Sequence, residues 1–208
     1  MRHRERVFDL VVLFVVSPLV LLGLLIGTLL VLIREGRPVF FASHRMNAPD
    51  QQFVLWKFRT MGAIAQDAGV TGGNKAGRVT VTGRFLRLTR LDELPQAWNV
   101  VRGDIRLVGP RPPLPEYVRR FPDVYSEVLR SRPGITGLAT LTYKDTEAKL
   151  LADCETAQQT DAVYTRRCIP KKARLDLIYQ RNQSAYYDLK LMWLTLKGLW
   201  RSVSGHPL

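Results

Sequence analysis

Hydrophobic and polar positions are spread unevenly along this chain. From Leu10 to Ile33 no charged side chain occurs, and almost every residue is aliphatic. As one straight helix these residues would be about 36 Å long, enough to cross a hydrocarbon core of about 30 Å. Ser17-Pro18 sits inside the run. Proline removes a backbone donor and clashes with the preceding turn, so a kink or break is expected there, with the Ser17 hydroxyl available to a freed carbonyl. Broken at that point, Val7–Val16 and Leu19–Ile33 would be about 15 and 22 Å, each too short to cross. Arg2, Arg4 and Arg6 precede the run, and Arg34 and Arg37 follow it. Basic flanks on both sides favour the cytoplasmic face for both ends. Two readings fit: a re-entrant helix-break-helix that enters one leaflet and returns, and a plain spanning helix kinked at proline. A secretory signal fits poorly, because the run is too long and no A-x-A site follows.

Beyond residue 37 the pattern shortens. Val39–Ser43 and Gln52–Phe58 are β-prone, with Asn47-Ala48-Pro49-Asp50 between them, and predict a hairpin with a longer loop. Gly69–Gly77 predicts a flexible loop that lacks the Gly-Lys-Ser/Thr of a Walker loop. Gly83–Thr89 and Glu93–Val101 read as short helices. Residues 108–115 carry too many prolines for a helix. Leu114–Arg130 allows two short helices, Arg132-Pro133-Gly134 breaks the chain, and from Asp145 the composition is helical with one break near Ile169-Pro170. In Ala185–Arg201, Tyr186, Leu189, Trp193, Leu196 and Trp200 recur at helical spacing, with Lys190, Lys197 and Arg201 off the stripe. That stripe suits a membrane surface or the protein's own core.

The predicted fold class is therefore α+β and mostly helical, with a small β-hairpin, amphipathic interfacial helices and an N-terminal membrane element. With 208 residues the chain can bury one core. The expected division is a membrane hairpin helix over 1–37 and a single domain over 38–208. Two cysteines, Cys154 and Cys168, make no disulfide framework and read as reduced thiols, and His3, His44 and His206 are scattered. The net charge of +13 asks for an anionic partner: nucleic acid, anionic lipid or a phosphorylated substrate.

The residues between Arg78 and Pro115 narrow that choice. Asp92 and Glu93 are adjacent carboxylates, and Pro95 is tolerated only in a first helical turn. Asp92 is then expected as an N-cap and Glu93 as the first helical residue, at a helix start suited to phosphate. Neighbours on a helix point about 100° apart, so the two carboxylates take different tasks. One can attack or take a proton while the other holds a cation. Arg84, Arg87 and Arg90 recur every third residue, Arg111 sits in the rigid Gly109-Pro110-Arg111-Pro112 stretch, and Lys57 and Arg59 end the second strand. Arginine forks match phosphate oxygens, although any one of these arginines could equally be a solvated surface charge. Carboxylates amid arginines on a membrane-anchored chain indicate phosphoryl chemistry, with a divalent ion, Mg²⁺, bridging a carboxylate and a diphosphate. Nucleic acid is not expected as a partner, since no nucleic-acid motif occurs and the arginines cluster around acids.

These residues resemble the bacterial sugar transferases, the monotopic polyprenyl-phosphate phosphoglycosyl transferases. The matching strings are Trp56-Lys57-Phe58-Arg59-Thr60-Met61, Arg84 to Val101, Arg102-Gly103-Asp104, Val108 to Pro112 and Arg132 to Gly137, together with the apolar segment interrupted at Ser17-Pro18. The resemblance runs from about residue 5 to residue 200 and implies the short form of the family. It also implies a reaction: transfer of a sugar-1-phosphate from a UDP-sugar donor to a polyprenyl (undecaprenyl) phosphate acceptor, releasing UMP. Asp92 would be the nucleophile that forms a phosphosugar-aspartyl intermediate. Glu93, with Asp92, would hold Mg²⁺, and Lys57, Arg59, Arg87 and Arg111 would bind phosphates. The membrane element would be re-entrant, the enzyme would sit in the bacterial inner membrane facing the cytoplasm, and downstream glycosyltransferases would be its partners. After Gly137 the run Leu138 to Asp145 departs from the commonest family pattern, and Glu147–Arg167 looks extended. The sugar, the glycan pathway and the oligomeric state stay open. The competing class is a non-catalytic basic membrane protein that binds anionic lipid or recruits partners.

Overall fold

A computed structural model describes residues 3–62 and 77–204, with side chains up to residue 200. Most of the predicted loop 69–77 lies outside the described residues.

Helix α1 (His3–Glu35) is one continuous element of 33 residues, about 50 Å long. The expected break at Ser17-Pro18 is absent. Pro18 has no N–H to give its i−4 acceptor, Phe14 O, and the Ser17 hydroxyl donates to that carbonyl at 2.7 Å instead. The carbonyl is satisfied within the helix, and the helical run continues through the proline. Asp9, Leu13, Gly23, Gly27 and Val31 are its buried positions and form one face. Phe14, Val15, Leu19, Leu25 and Ile33 are exposed on the remainder.

Strands β1 (Phe40–Ala48) and β2 (Gln51–Phe58) form the antiparallel hairpin, in register from Phe40 opposite Phe58 to Ala48 opposite Gln51. The first strand runs further than expected, so the loop contracts to Pro49-Asp50. Phe53 and Leu55 pack with Leu13 of α1 and with Val100 and Ile105, while Phe58 packs with Val31 and Leu86. The hairpin thus joins α1 to the short helices C-terminal to it. Helix α2 (Val81–Leu88) is capped by the Thr80 hydroxyl, which accepts from Gly83 N at 2.9 Å. A 3₁₀ turn (Leu91–Glu93) comes next, then α3 (Gln96–Arg102).

Strands β3 (Arg106–Val108) and β4 (Gly134–Thr136) form a parallel pair that the pattern did not announce. Three residues each are too few to show a period. Their approach depends on glycine: a Cβ at Gly134 would lie 2.2 Å from Gly109 N, and one at Gly137 2.2 Å from Gly109 O. Between them lie the two expected short helices, α4 (Pro115–Arg120) and α5 (Pro122–Val128).

The C-terminal half is α6 (Leu138–Ala152), α7 (Ala157–Val163), a π turn (Tyr164–Cys168), α8 (Ile169–Asn182) and α9 (Ala185–Ser204). The helices are interrupted at residues 153–156, where Thr156 and Gln159 build a capping box, and at 183–184, while next to Ile169-Pro170 the chain stays helical through the π turn. Pro170 occupies the first turn of α8, where no donor is missed. Tyr117, Tyr125, Val128, Tyr164, Cys168 and Ile169 form the centre of this helical lobe. Cys154 and Cys168 are free and buried. On α9 the stripe Tyr186, Leu189, Trp193, Leu196 and Trp200 faces outward, each residue at least half exposed, and Leu191 packs inward. Of the two readings of that stripe, packing on the protein's own core is excluded.

Candidate active site

Both acidic residues of the Asp92-Glu93 pair sit in the 3₁₀ turn, neither as an N-cap nor as the first residue of an α-helix. Pro95 cannot donate, so the α3 ladder begins only with Ala97 N to Leu94 O and Trp98 N to Pro95 O. The turn is held from three sides. Arg90 before it adopts a left-handed conformation, φ 57°, which reverses the chain at a cost of about 1–2 kcal/mol for a residue with a Cβ. Leu91 and Leu94 pack against Gly23 of α1, where a Cβ would lie 2.4 Å from Leu94 Cδ1. Asn99 of α3 is buried and clamps the edge of β2: its Oδ1 accepts from Trp56 N at 3.1 Å, and its Nδ2 donates to Val54 O at 2.7 Å. That clamp brings Lys57, the next residue of β2, beside the turn.

Glu93 is the hub. Lys57 Nζ lies 3.2 Å and Arg111 Nη2 3.0 Å from its Oε1, and Arg90 Nη1 lies 3.0 Å from its Oε2. Burial alone would push the Glu93 carboxyl up, but Arg111, Lys57 and Arg90 overcome it and hold the group well below the usual carboxylate range. Asp92 goes the other way. Burial and the neighbouring Glu93 charge raise its carboxyl, while Lys57, Arg111 and Arg87 oppose them. Two adjacent carboxylates are thus driven apart, one fixed as an anion and the other left the more basic. Lys57 is pushed down to about 8 by burial and by the Arg111 charge beside it.

Of the residues the sequence singled out, Asp92, Glu93, Lys57 and Arg111 come together. Arg87 lies next to them: its Nε donates to Thr60 Oγ1 at 2.9 Å, and its charge acts on Asp92. Arg59 does not belong to the cluster. Its Nη2 donates to Glu35 O at 2.6 Å and to Gly36 O at 3.0 Å, so it closes the C-terminal end of α1. Alternation alone would put Lys57 and Arg59, two apart, on one face, but β2 ends at Phe58 between them and Arg59 leaves the strand. Arg84 is exposed, so the arginine triplet is not one basic face. Two cations were missed as site groups. Arg90 was visible only as a member of that triplet. Lys144 of α6 lies close enough to feel Arg90, Glu93 and Arg111.

The arrangement can accept a polyanion. Four cations, Lys57, Arg87, Arg90 and Arg111, surround two carboxylates, and Arg111 is presented by the rigid loop after β3, whose base is the glycine contact with β4. Lys57 and Arg111 also line a cavity of about 230 Å³ that reaches into the helical lobe.

The sequence pattern of the bacterial sugar transferases matches residues 1–202. The chain is 32% identical over 193 residues to the uncharacterized sugar transferase EpsL of Bacillus subtilis, covering 93% of this chain and 85% of that one. It is 32% identical over 199 residues to a UDP-glucose:undecaprenyl-phosphate glucose-1-phosphate transferase of Klebsiella pneumoniae, covering 94% of this chain and 39% of that one. A Caulobacter vibrioides protein with the same activity is 31% identical over 201 residues, with 94% and 69% covered. The chain therefore spans well under half of the Klebsiella relative and most of the other two.

Proposed function

The chain belongs to the bacterial sugar transferase family, and from that premise we propose that it transfers a sugar-1-phosphate from a UDP-sugar to undecaprenyl phosphate, releasing UMP. The observation that carries this reading is the buried Asp92-Glu93 pair set inside a ring of cations, with Lys57, Arg90 and Arg111 on Glu93.

The reading assigns one task to each group. An Asp92 carboxylate oxygen attacks the β-phosphorus of the UDP-sugar. The bond from that phosphorus to the bridging oxygen breaks, and UMP leaves with the electron pair. The phosphosugar stays on Asp92 as an acyl phosphate. A phosphate oxygen of the lipid acceptor then attacks the same phosphorus, Asp92 leaves as a free carboxylate, and polyprenyl-diphospho-sugar results. Burial makes Asp92 the more basic partner of the pair, hence the better nucleophile once ionised. Lys57, Arg87 and Arg111 neutralise phosphate charge that would repel it. Glu93 gathers Lys57, Arg90 and Arg111 and sets where they point.

Mg²⁺ fits the donor set. The ion takes one or two carboxylates and completes its shell with substrate phosphates and water. Asp92 and Glu93 would hold it, Glu93 by giving up part of its pairing with Lys57, Arg90 or Arg111, and no group of three or more His, Cys, Asp or Glu that could cage an ion by itself occurs among the described residues. When bound there, Mg²⁺ supplies charge neutralisation and polarisation of the diphosphate.

The proposed placement is the cytoplasmic membrane, with α1 and the α9 stripe in contact with lipid and the site facing the cytoplasm. α1 touches the body of the protein along nearly its full length. Arg6 donates to Val100 O and Val101 O near one end, Val31 is fully buried, and Arg59 holds Glu35 O at the other. A helix crossing both leaflets would draw that body into hydrocarbon, so a one-leaflet, monotopic placement is the better fit.

The test is UMP release by purified protein with Mg²⁺, undecaprenyl phosphate and a panel of UDP-sugars. Release that disappears in Asp92→Asn supports the reaction. Release that persists in that variant sinks the nucleophile assignment, and no release from folded wild-type protein in lipid favours the lipid-binding alternative.

A further inference from the structure

The cavity beside the catalytic turn is lined by Lys57 and Arg111 and, from the helical lobe, by Tyr125, Glu147, Lys172 and Asp176. We propose that it receives the sugar ring of the donor, and that Glu147, Lys172 and Asp176 select the ring by its hydroxyl groups. The inference rests on the reading that the donor is a UDP-sugar.

Position is the first argument. The sugar is bonded to the same phosphate that Asp92 attacks, so it lies beside the cations that hold that phosphate. A cavity sharing Lys57 and Arg111 with the Glu93 cluster satisfies this, and the nucleoside, one phosphate further off, need not enter it. Size is the second. At about 230 Å³ the cavity is smaller than the roughly 300–1,000 Å³ typical of pockets for drug-sized ligands, and it suits one ring and not a whole nucleotide sugar.

Chemistry is the third. Lys172 Nζ pairs with Glu147 Oε2 at 2.8 Å and reaches Tyr164 Oη at 3.3 Å, so one edge of the cavity is a fixed row of charged and hydroxyl groups. Asp176 differs. It is over nine-tenths buried, its carboxylate makes no hydrogen bond to any described residue, and burial pushes the group up to about 7 against the pull of the Lys172 charge. A carboxylate this poorly hydrated gains from a hydrogen-bond donor, and a ligand hydroxyl entering the cavity would supply one. Tyrosine rings offer apolar faces to the C–H face of a sugar. A uracil ring would need paired amide-like donors and acceptors, and neither Asn nor Gln lines the cavity.

The experiment uses full-length Asp92→Asn protein in lipid nanodiscs with Mg²⁺, so that bound donor is not consumed. Equilibrium titrations with UDP, UDP-glucose, UDP-galactose and UDP-N-acetylglucosamine are compared before and after adding Asp176→Asn, Glu147→Gln or Tyr125→Phe, each checked for an unchanged melting temperature. The parent is expected to bind at least one UDP-sugar more tightly than UDP. Asp176→Asn or Glu147→Gln is expected to reduce that preference about tenfold with UDP affinity unchanged. Equal weakening of UDP and UDP-sugar overturns the proposal, because the cavity then holds nucleoside or phosphate. A preference untouched by all three substitutions overturns it too, as does a parent that binds no UDP-sugar more tightly than UDP. Failure of the underlying reaction is read separately, as absence of UMP release by the unsubstituted protein.

Discussion

Two buried charge clusters lie in this molecule, and they are built on opposite plans. In the first, one guanidinium faces two carboxylates: Arg106 Nε lies 2.9 Å from Asp9 Oδ2, and its Nη2 2.9 Å from Asp188 Oδ2, with all three side chains nearly inaccessible. Tyr179 Oη donates to Asp188 Oδ1 at 2.7 Å and completes it. The cluster ties α1, β3 and α9 together and is shut off from solvent, with Arg106 Nη1 left without a hydrogen bond to any described residue. In the second, four cations face Asp92 and Glu93, and two of those cations line a cavity. Charge balance separates the two. A fully buried cluster with one cation to two carboxylates, out of reach of any ligand, holds elements in place. A cluster with surplus cations beside empty space is organised for an anion that the chain does not contain.

The contrast breaks most sharply at Asp92. Asp92→Asn should lower UMP release on the order of 10⁴-fold or more, while melting temperature and membrane association stay as in the wild type. Arg106→Met should do the reverse. It leaves Asp9 and Asp188 buried without a counter-charge, a loss of about 3–5 kcal/mol, read as a lowered denaturation midpoint or loss of folded protein. Adding Asp9→Asn and Asp188→Asn should recover part of that stability, and no recovery would show that charge is not the reason.

A pH profile sharpens the comparison further. Lys57, pushed down to about 8, loses its positive charge as pH rises through that value, and Asp92, pushed up, must lose its proton on the acid side. The kcat/KM for the UDP-sugar should therefore fall above about pH 8, and in Lys57→Arg that alkaline limb should move upward. A limb that stays in place would assign the titration to another group. The smallest effect is expected at the contact between α1 and the hairpin. In Gly27→Ala the new Cβ would meet Phe58 Cε2 at 2.5 Å, and Phe58 is fully buried and cannot swing aside. A loss of about 1–3 kcal/mol is expected by thermal or chemical denaturation, with the residual activity per folded molecule little changed.

Much of this was legible in the chain. The apolar run, the hairpin, the paired short helices and the amphipathic C-terminal helix all announce themselves by period and by turn residues. The resemblance drew Asp92, Glu93, Lys57, Arg87 and Arg111 into one site. What escaped were features with no period: the three-residue strands β3 and β4, the 3₁₀ turn in place of a helix start, and the positions of the interruptions in the C-terminal half. The helical run continues through Pro18 for a local reason, a serine hydroxyl one residue away that takes over the abandoned carbonyl. Arg59 was grouped with Lys57 by nearness in sequence, but the end of the strand sends it to the C-terminus of α1.

The sequence by itself determined most of the elements, the family and four members of the charged cluster, Lys57, Asp92, Glu93 and Arg111, because periodicity and residue type act locally. Only the tertiary structure decided the division of labour within it. Whether a carboxylate is held ionised or made basic depends on which cations lie within about 3 Å and how deeply it is buried, and Lys57, Arg90 and Arg111 reach Glu93 from a strand, a turn and a loop far apart in the chain. The same holds for the cavity, whose walls come from segments more than a hundred residues apart. Coulomb energy and desolvation depend on distances in space, and those exist only once the chain has folded.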